Sequence, residues 1–139
     1  MSERLRVLLV EDNPADTDLI RETLPETGPV TFRLACVERL SEALARLEQE
    51  VFDLVLLDLG LPDSQGLATY SRLQEVAPRV PLIVLTGNDD EELAIAAVRL
   101  GAQDYLIKGQ VVGKLLARAA RYAVERKRAA ETEEVSTKR

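Results

Sequence analysis

Residues 51–66 read Val-Phe-Asp-Leu-Val-Leu-Leu-Asp-Leu-Gly-Leu-Pro-Asp-Ser-Gln-Gly, and they carry the clearest strand signal in the chain. Four consecutive aliphatic residues, Leu54 to Leu57, lead directly into the carboxylate of Asp58. A run this short and this uniformly apolar is typical of a parallel strand that is covered on both faces. We therefore predict a central strand with Asp58 at its carboxyl end, followed by a turn at Gly60 and Pro62. Open α/β sheets hold their functional groups just outside such strand ends.

Strand and helix patterns alternate five times along the chain, with short connections between them. The other predicted strands are residues 5–10, 31–37, 81–86 and 104–107. Arg33 interrupts the second of the five strands, and we therefore place that strand at an edge of the sheet. This alternation predicts a single doubly wound α/β domain with a parallel sheet and right-handed crossovers.

Capping residues mark where the helices begin and end. Asn13 is a suitable N-cap, and Pro14 fits the first helical position because its missing N–H has no partner there anyway. Asn88-Asp89-Asp90 is predicted to cap the fourth helix, and Gly101 is predicted to end it. The predicted buried stripe of that helix consists of Leu93, Ala96, Ala97 and Leu100.

The composition of the chain excludes several classes of function. The 139 residues suffice for one domain with a real core. A net charge of −6 argues against a general nucleic-acid binder, which would need a basic face. The absence of histidine excludes His-dependent hydrolases, His-ligated zinc sites and a phosphohistidine donor. The single Cys36 cannot form an internal disulfide.

The sequence shows no signal for a membrane or for export. No apolar run approaches the roughly 20 residues of a membrane helix, and no signal-peptide pattern is present. We therefore expect a cytoplasmic protein without membrane contact.

Polar side chains stand at the ends of four predicted strands. Glu11 and Asp12 follow the first strand, Asp58 ends the third, Thr86 ends the fourth, and Lys108 follows the fifth. Each alone could be a turn acid, a strand-end cap or a surface lysine, but in a parallel sheet all five converge on one rim. Three carboxylates about 4 Å apart repel by roughly 4 kcal/mol per pair at an effective dielectric of about 20. The lysine and a Mg²⁺ ion would neutralise them, and such a site could hold a phosphoryl group for attack by a carboxylate.

The sequence resembles the receiver domain of bacterial two-component response regulators over about residues 4–124. Four motifs carry the resemblance through their order and spacing: Val-Leu-Leu-Val-Glu11-Asp12-Asn, Leu-Leu-Asp58-Leu-Gly-Leu-Pro62, Val-Leu-Thr86-Gly87 and Asp-Tyr105-Leu-Ile-Lys108. The resemblance implies a flavodoxin-like (βα)5 domain whose five-stranded parallel sheet has the strand order 2-1-3-4-5.

The resemblance also implies roles for the strand-end residues. Asp58 would accept a phosphoryl group from the phosphohistidine of a sensor histidine kinase or phosphotransfer protein. Thr86 and Lys108 would contact that group, and Tyr105 would be the switch aromatic that rotates inward as Thr86 moves toward the phosphate. The domain would be no enzyme beyond its own phosphorylation and dephosphorylation. The Mg²⁺ ligands would be Glu11, Asp12, Asp58 and the backbone carbonyl of Gly60.

Phosphorylation would be read out on the surface of the fourth helix, the fifth strand and the fifth helix, where it would control partner binding or dimerisation. The predicted residues of that surface are Ile95, Arg99, Gln103, Tyr105, Arg118 and Tyr122. The sequence departs from the family pattern at Gly109, where the family usually has proline after the lysine. Gly60 and Asn88, each two residues beyond a site residue, predict a site that water can reach.

We assign residues 1–124 to the receiver domain and 125–139 to a helical extension or linker, because the apolar stripe fades after Val124 into charged residues. No output domain is recognisable, so we expect either a stand-alone regulator or the front part of a longer protein with a fused output domain. The similarity of residues 121–130 to the helical linkers that follow receivers favours the second interpretation.

Three other functions compete with an active receiver. A degenerate receiver would serve only as a docking module through the same surface. A phosphatase of the haloacid-dehalogenase type would carry its nucleophile after the first strand with a second acid two residues on, whereas Asp58 follows the third strand and is followed by Gly60. A flavin-binding flavodoxin-like module would need a phosphate loop rich in Ser, Thr and Gly where this chain has residues 11–14.

Overall fold

The computed structural model describes residues 3–24, 26–27, 30–108 and 113–137. Five parallel strands form its sheet, and they are β1 (Glu3–Val10), β2 (Val30–Val37), β3 (Leu54–Asp58), β4 (Leu82–Thr86) and β5 (Asp104–Ile107). The strands lie in the order 2-1-3-4-5, which confirms the predicted topology. The stretch around Asp58 supplies the central strand of the five, and β2 lies at one side of the parallel set, as expected.

Two short antiparallel pairings were not predicted. Glu26–Thr27 pairs with the start of β2 and adds a sixth strand at that edge of the sheet. Gly60–Leu61 pairs with Ser64–Gln65 in a small hairpin directly after β3. Segments of two residues are too short to show a period of two in the sequence, so pattern reasoning does not detect them.

All five predicted helices are present. They are α1 (Pro14–Thr23), α2 (Leu40–Gln49), α3 (Leu67–Val76), α4 (Glu91–Leu100) and α5 (Gly113–Thr137), with a short 3-10 turn over Asn88–Asp90 before α4. The last helix is 25 residues long and continues through the segment that we assigned to an extension. None of the helices within the described residues is long and apolar enough to cross a membrane. Gly109 lies outside the described residues.

The sheet is buried on both faces because alternate residues of each inner strand serve different layers. On β3, Leu54 and Leu56 pack into the layer that contains α1 and α5. Their neighbours Val55 and Leu57 pack into the layer that contains α2, α3 and α4. All four side chains are fully buried. The two-sided burial explains why this strand reads as a continuous aliphatic run rather than an alternating one.

The helix ends follow the predictions in part. The side chain of Asn13 accepts hydrogen bonds from the backbone N–H groups of Ala15 and Asp16, which confirms the N-cap of α1. Gly101 ends α4 with φ of 135°, and a Cβ there would lie 2.7 Å from the hydroxyl oxygen of Tyr70. The predicted cap of α4 is wrong in detail, because Asp90 stands at the N-cap position without making a side-chain capping hydrogen bond.

The buried face of α4 also differs from the prediction. Ala97 is fully buried as predicted, but Ala94, which was not predicted, is fully buried as well, whereas Leu100 is 53% exposed. A run of apolar residues leaves several neighbouring faces of a helix equally plausible, and tertiary packing chose the face with the smaller side chains.

Candidate functional site

Parallel pairing brings four strand ends to one rim of the sheet. Val10 lies opposite Leu57, so Glu11 and Asp58 leave the sheet side by side. On the other side of β3, β4 pairs with β5, and the backbone N–H of Lys108 donates a hydrogen bond of 2.7 Å to the carbonyl of Thr86. The fold therefore places the five predicted side chains at the same edge.

Three carboxylates meet at this rim. One oxygen each from Glu11, Asp12 and Asp58 lie within 4.8 Å of one another. Glu11 is 1% exposed, Asp58 is half-buried and Asp12 is exposed, so the cluster opens toward solvent on one side. We call this group of three acids, Glu11, Asp12 and Asp58, the cup; it lies at the carboxyl ends of β1 and β3.

Lys108 reaches into the cup and contacts acids from three elements. Its Nζ lies 2.6 Å from Oε2 of Glu11 and 2.6 Å from Oδ2 of Asp58. It also lies 3.2 Å from Oδ2 of Asp16 on the first turn of α1. Sequence reasoning missed Asp16. Its place in the first turn of α1, the helix that begins two residues after Asp12, would have been the signal.

Burial and charge shift two of the pKa values. Burial raises the pKa of Glu11 to about 7, and repulsion from Asp58 adds to the rise, while Lys108 and the backbone N–H of Asn13 oppose it. Burial alone would lower the pKa of Lys108, but its hydrogen bonds with Asp58 and Glu11 outweigh burial and hold it above its usual value. The lysine is thus a fixed positive charge at any ordinary pH.

The carboxylate of Asp58 is oriented by two donors. Its Oδ1 accepts a hydrogen bond of 2.8 Å from the backbone N–H of Gly60, and its Oδ2 accepts one of 2.6 Å from Lys108. The following loop is held in turn by Gly66, whose N–H bonds the carbonyl of Leu59 and whose φ of 77° favours glycine. The backbone that follows β3 therefore helps to fix the orientation of the Asp58 carboxylate.

Thr86 and Tyr105 lie beside the cup without joining its charge network. The buried hydroxyl of Thr86 donates to the carbonyl of Gly87 at 3.1 Å. Among the described contacts, none links that hydroxyl to the acids. The hydroxyl of Tyr105 donates to Oε2 of Glu91 at 2.8 Å, and this bond raises the pKa of the tyrosine. Lys108 therefore contacts acids of the cup directly, whereas the hydroxyl groups of Thr86 and Tyr105 bond to other partners.

The donor set fits a hard divalent cation. Oε2 of Glu11 is buried, and among the described residues only Nζ of Lys108, 2.6 Å away, is seen to pair with it. A carboxylate oxygen buried in this way has lost its water and gains from a cation. Mg²⁺ takes one or two carboxylates and keeps several waters, which suits a cup with one open side.

The fold and this cup define a signalling receiver. A family model described as the response regulator receiver domain matches residues 7–120. The chain therefore belongs to the response regulator receiver family, and membership implies a phosphoacceptor role in two-component signalling.

Curated relatives are longer proteins. The chain is 40% identical over 113 residues to the KDP operon transcriptional regulatory protein KdpE of Escherichia coli K12, covering 81% of this chain and 48% of that protein. It is 30% identical over 105 residues to the transcriptional regulatory protein ZraR of Salmonella typhimurium, covering 76% of this chain and 23% of that protein. The chain thus spans from about a quarter to about half of these relatives.

Solved structures share the whole fold. A CheY-like receiver domain protein from Methanospirillum hungatei superposes with a TM-score of 0.77 at 25% identity, covering 94% of this chain and 99% of that chain. The receiver domain of the sensor histidine kinase PA1611 from Pseudomonas aeruginosa gives 0.73 at 30% identity, covering 87% and 98%. That second structure has a magnesium ion coordinated in its active-site cleft.

Proposed function

We propose that this chain accepts a phosphoryl group on Asp58 with the help of Mg²⁺ and thereby changes the surface formed by α4, β5 and α5. The observation that carries the proposal is the cup itself. The carboxylate of Asp58 is oriented by Lys108 and the N–H of Gly60, and it lies within 4.8 Å of one oxygen each from Glu11 and Asp12, close enough for the three acids to share one metal ion. Positioning and charge neutralisation are what phosphoryl transfer requires.

The transfer forms one bond and breaks another. An oxygen of Asp58 attacks the phosphorus of a partner's phosphohistidine, and the phosphorus–nitrogen bond breaks as the imidazole leaves with its electron pair. Lys108 is close enough to move from the carboxylate to a phosphoryl oxygen, because its Nζ is already 2.6 Å from Oδ2 of Asp58. The product is an acyl phosphate at the open side of the cup.

Glu11, Asp12 and Asp58, with the backbone carbonyl of Gly60 as a further ligand, would hold the Mg²⁺ ion. When bound, the ion supplies positive charge that neutralises the acids and the phosphoryl oxygens. Oε2 of Glu11 supports this assignment, because it is buried and only Lys108 is seen to pair with it among the described residues. The magnesium ion in the related PA1611 receiver domain is consistent with it.

The change is carried from the site through Thr86 and Tyr105. A phosphoryl group adds about 1.5 to 2 negative charges and strong hydrogen-bond acceptors, which would draw the Thr86 hydroxyl away from the carbonyl of Gly87. Tyr105 would then leave Glu91 and turn inward. The surface that reports this change carries residues that are all exposed or half-buried, namely Ile95, Arg99, Gln103, Tyr105, Arg118 and Tyr122.

A sensor histidine kinase or a phosphotransfer protein would be the donor. Several curated relatives are transcriptional regulators, and the chain spans only part of their length, so a fused or separate output domain would read the signal. The length of α5 supports such a connection, since its helix continues to Thr137, well beyond the residues that the family model matches.

Intact-mass spectrometry after incubation with acetyl phosphate and Mg²⁺ tests the proposal. We expect the wild-type protein to gain one phosphoryl group. Asp58→Asn should gain none, because an amide is not a nucleophile for this transfer. Asp18→Asn is the matched control, since Asp18 is an exposed acid on α1 for which no hydrogen bond or ion pair with Glu11, Asp12, Asp58 or Lys108 is found among the described residues.

Two outcomes would contradict the proposal. Incorporation that survives Asp58→Asn would place the phosphoryl group elsewhere. A wild-type protein that stays unmodified, while folded and loaded with Mg²⁺, would favour the docking-module alternative.

A further inference from the structure

Asp16 stands at the cup although it is no member of the three-acid cluster. Its Oδ2 lies 3.2 Å from Nζ of Lys108, and the two side chains are 30% and 23% exposed. It reaches the lysine from α1, whose first turn is fixed by the hydrogen bonds from the N–H groups of Ala15 and Asp16 to the side chain of Asn13. The contact therefore joins a rigid helix start to the lysine after β5.

In the proposed function, the other two acids that contact Lys108 also take part in metal binding or phosphorylation. Glu11 and Asp58, each 2.6 Å from Nζ, are also the acids that would turn toward Mg²⁺, and Asp58 would become an acyl phosphate. A divalent cation among those acids repels the ammonium group. Asp16 lies outside the cluster that can share one ion, so its carboxylate stays available to the lysine throughout.

We propose that Asp16 is a positioning residue that holds the Lys108 ammonium at the mouth of the cup while metal and phosphoryl group occupy Glu11 and Asp58. This inference rests on the proposed function and adds a fourth acid to its machinery. With Asp16 in place, the lysine keeps one anionic partner and stays within reach of an incoming phosphoryl oxygen. Without it, the ammonium group returns to solvent or stays on the acids that the metal needs.

A purely structural role for Asp16 makes a different prediction. An acid in the first turn of a helix favours the helix dipole, so its loss would lower stability without altering the reaction. Loss of one negative charge near an anionic phosphodonor would, by itself, speed the reaction rather than slow it. A slower reaction in a stably folded variant therefore points to the lysine and to neither of these effects.

The test compares Asp16→Asn with Asp18→Asn, which removes the same charge from the same helix. The measured quantities are the rate of phosphoryl incorporation from acetyl phosphate at saturating Mg²⁺ and the midpoint of thermal unfolding. We expect Asp16→Asn to react about two- to fivefold more slowly than Asp18→Asn, the range for one partly exposed ion-pair contact. Asp16→Glu, which retains the carboxylate, should recover part of the rate.

Equal rates for Asp16→Asn and Asp18→Asn would overturn the inference about Asp16. A slower Asp16→Asn that Asp16→Glu fails to improve would overturn it as well, because the carboxylate would then not be what matters. Both results leave the proposed function standing, since wild type would still be phosphorylated. A wild-type protein that takes up no phosphoryl group would instead defeat the proposed function.

Discussion

At the level of single residues, Lys108 and Glu11 set the balance of charge in the cup. Lys108 carries the positive charge that keeps Glu11 and Asp58 within a few ångströms of each other, and burial keeps the pKa of Glu11 at about 7 despite that charge. Desolvation therefore outweighs the attraction of the lysine at this glutamate. Because burial leaves the anionic form of Glu11 incompletely stabilised, a second cation beside it would lower its pKa.

Mg²⁺ binding should depend on the exposed acid of the cluster. Asp12→Ala removes one of the three carboxylates that share the cup, and we expect the Mg²⁺ dissociation constant to rise by at least about tenfold because ligand charge sets affinity. Isothermal titration calorimetry measures this directly. Asp18→Ala is the control, and an unchanged affinity in Asp12→Ala would remove Asp12 from the site.

At the scale of elements, one loop is tied to the helix beside it. The N-cap residue of α2, Arg39, makes no side-chain cap hydrogen bond. Asp63 in the loop after β3 takes its place, since its two oxygens accept hydrogen bonds of 2.8 and 3.0 Å from the N–H groups of Leu40 and Ser41. Those backbone bonds lower the pKa of Asp63. The loop that follows Asp58 is therefore anchored to α2.

Removing this anchor should destabilise the domain. Asp63→Ala leaves two N–H groups of α2 without their acceptor, and we expect the midpoint of thermal unfolding to fall by a few degrees. Circular dichroism during heating measures the change. Asp90→Ala is the matched control, because Asp90 occupies the N-cap position of α4 and makes no side-chain cap hydrogen bond there. Equal effects of both substitutions would show that Asp63 does not anchor α2.

At the scale of the whole molecule, a second charge network lies at the opposite rim of the sheet. Glu50 after α2 accepts hydrogen bonds from Arg46 on the same helix and from Arg6 on β1. The Arg6 guanidinium also lies 4.8 Å from the ring centroid of Phe52. The network joins α2, β1 and the segment just before β3, at the end of the strands away from the cup. We interpret this network as stabilising the fold rather than as a binding site.

Stability should therefore depend on pH through Glu50. Hydrogen bonds from Arg46, and next from Arg6, lower its pKa to about 2. Because the folded pKa is depressed, the contribution is complete above the ordinary pKa of about 4.3 and is lost as the pH falls toward 2. Glu50→Gln should thus be less stable than wild type at neutral pH, and the difference should shrink between about pH 4.5 and 2.

Urea unfolding at a series of pH values measures that difference. Glu48→Gln, an equal charge change on α2 at a side chain with no described ion pair, should track wild type across the same range. A difference between wild type and Glu50→Gln that stays constant down to pH 2 would contradict the assignment.

Local patterns in the sequence predicted the five strands, the five helices and the polar residues at the strand ends, because aliphatic runs and caps are local signals. The strand order was not contained in those patterns and followed from the resemblance of the motifs to receiver domains. Tertiary structure alone decided that Lys108 meets Asp16, that Asp63 caps α2, that Tyr105 bonds Glu91, and that α4 buries Ala94 rather than Leu100. These contacts join residues far apart in the chain, and their geometry depends on how helices are rotated and seated on the sheet, which no local pattern records.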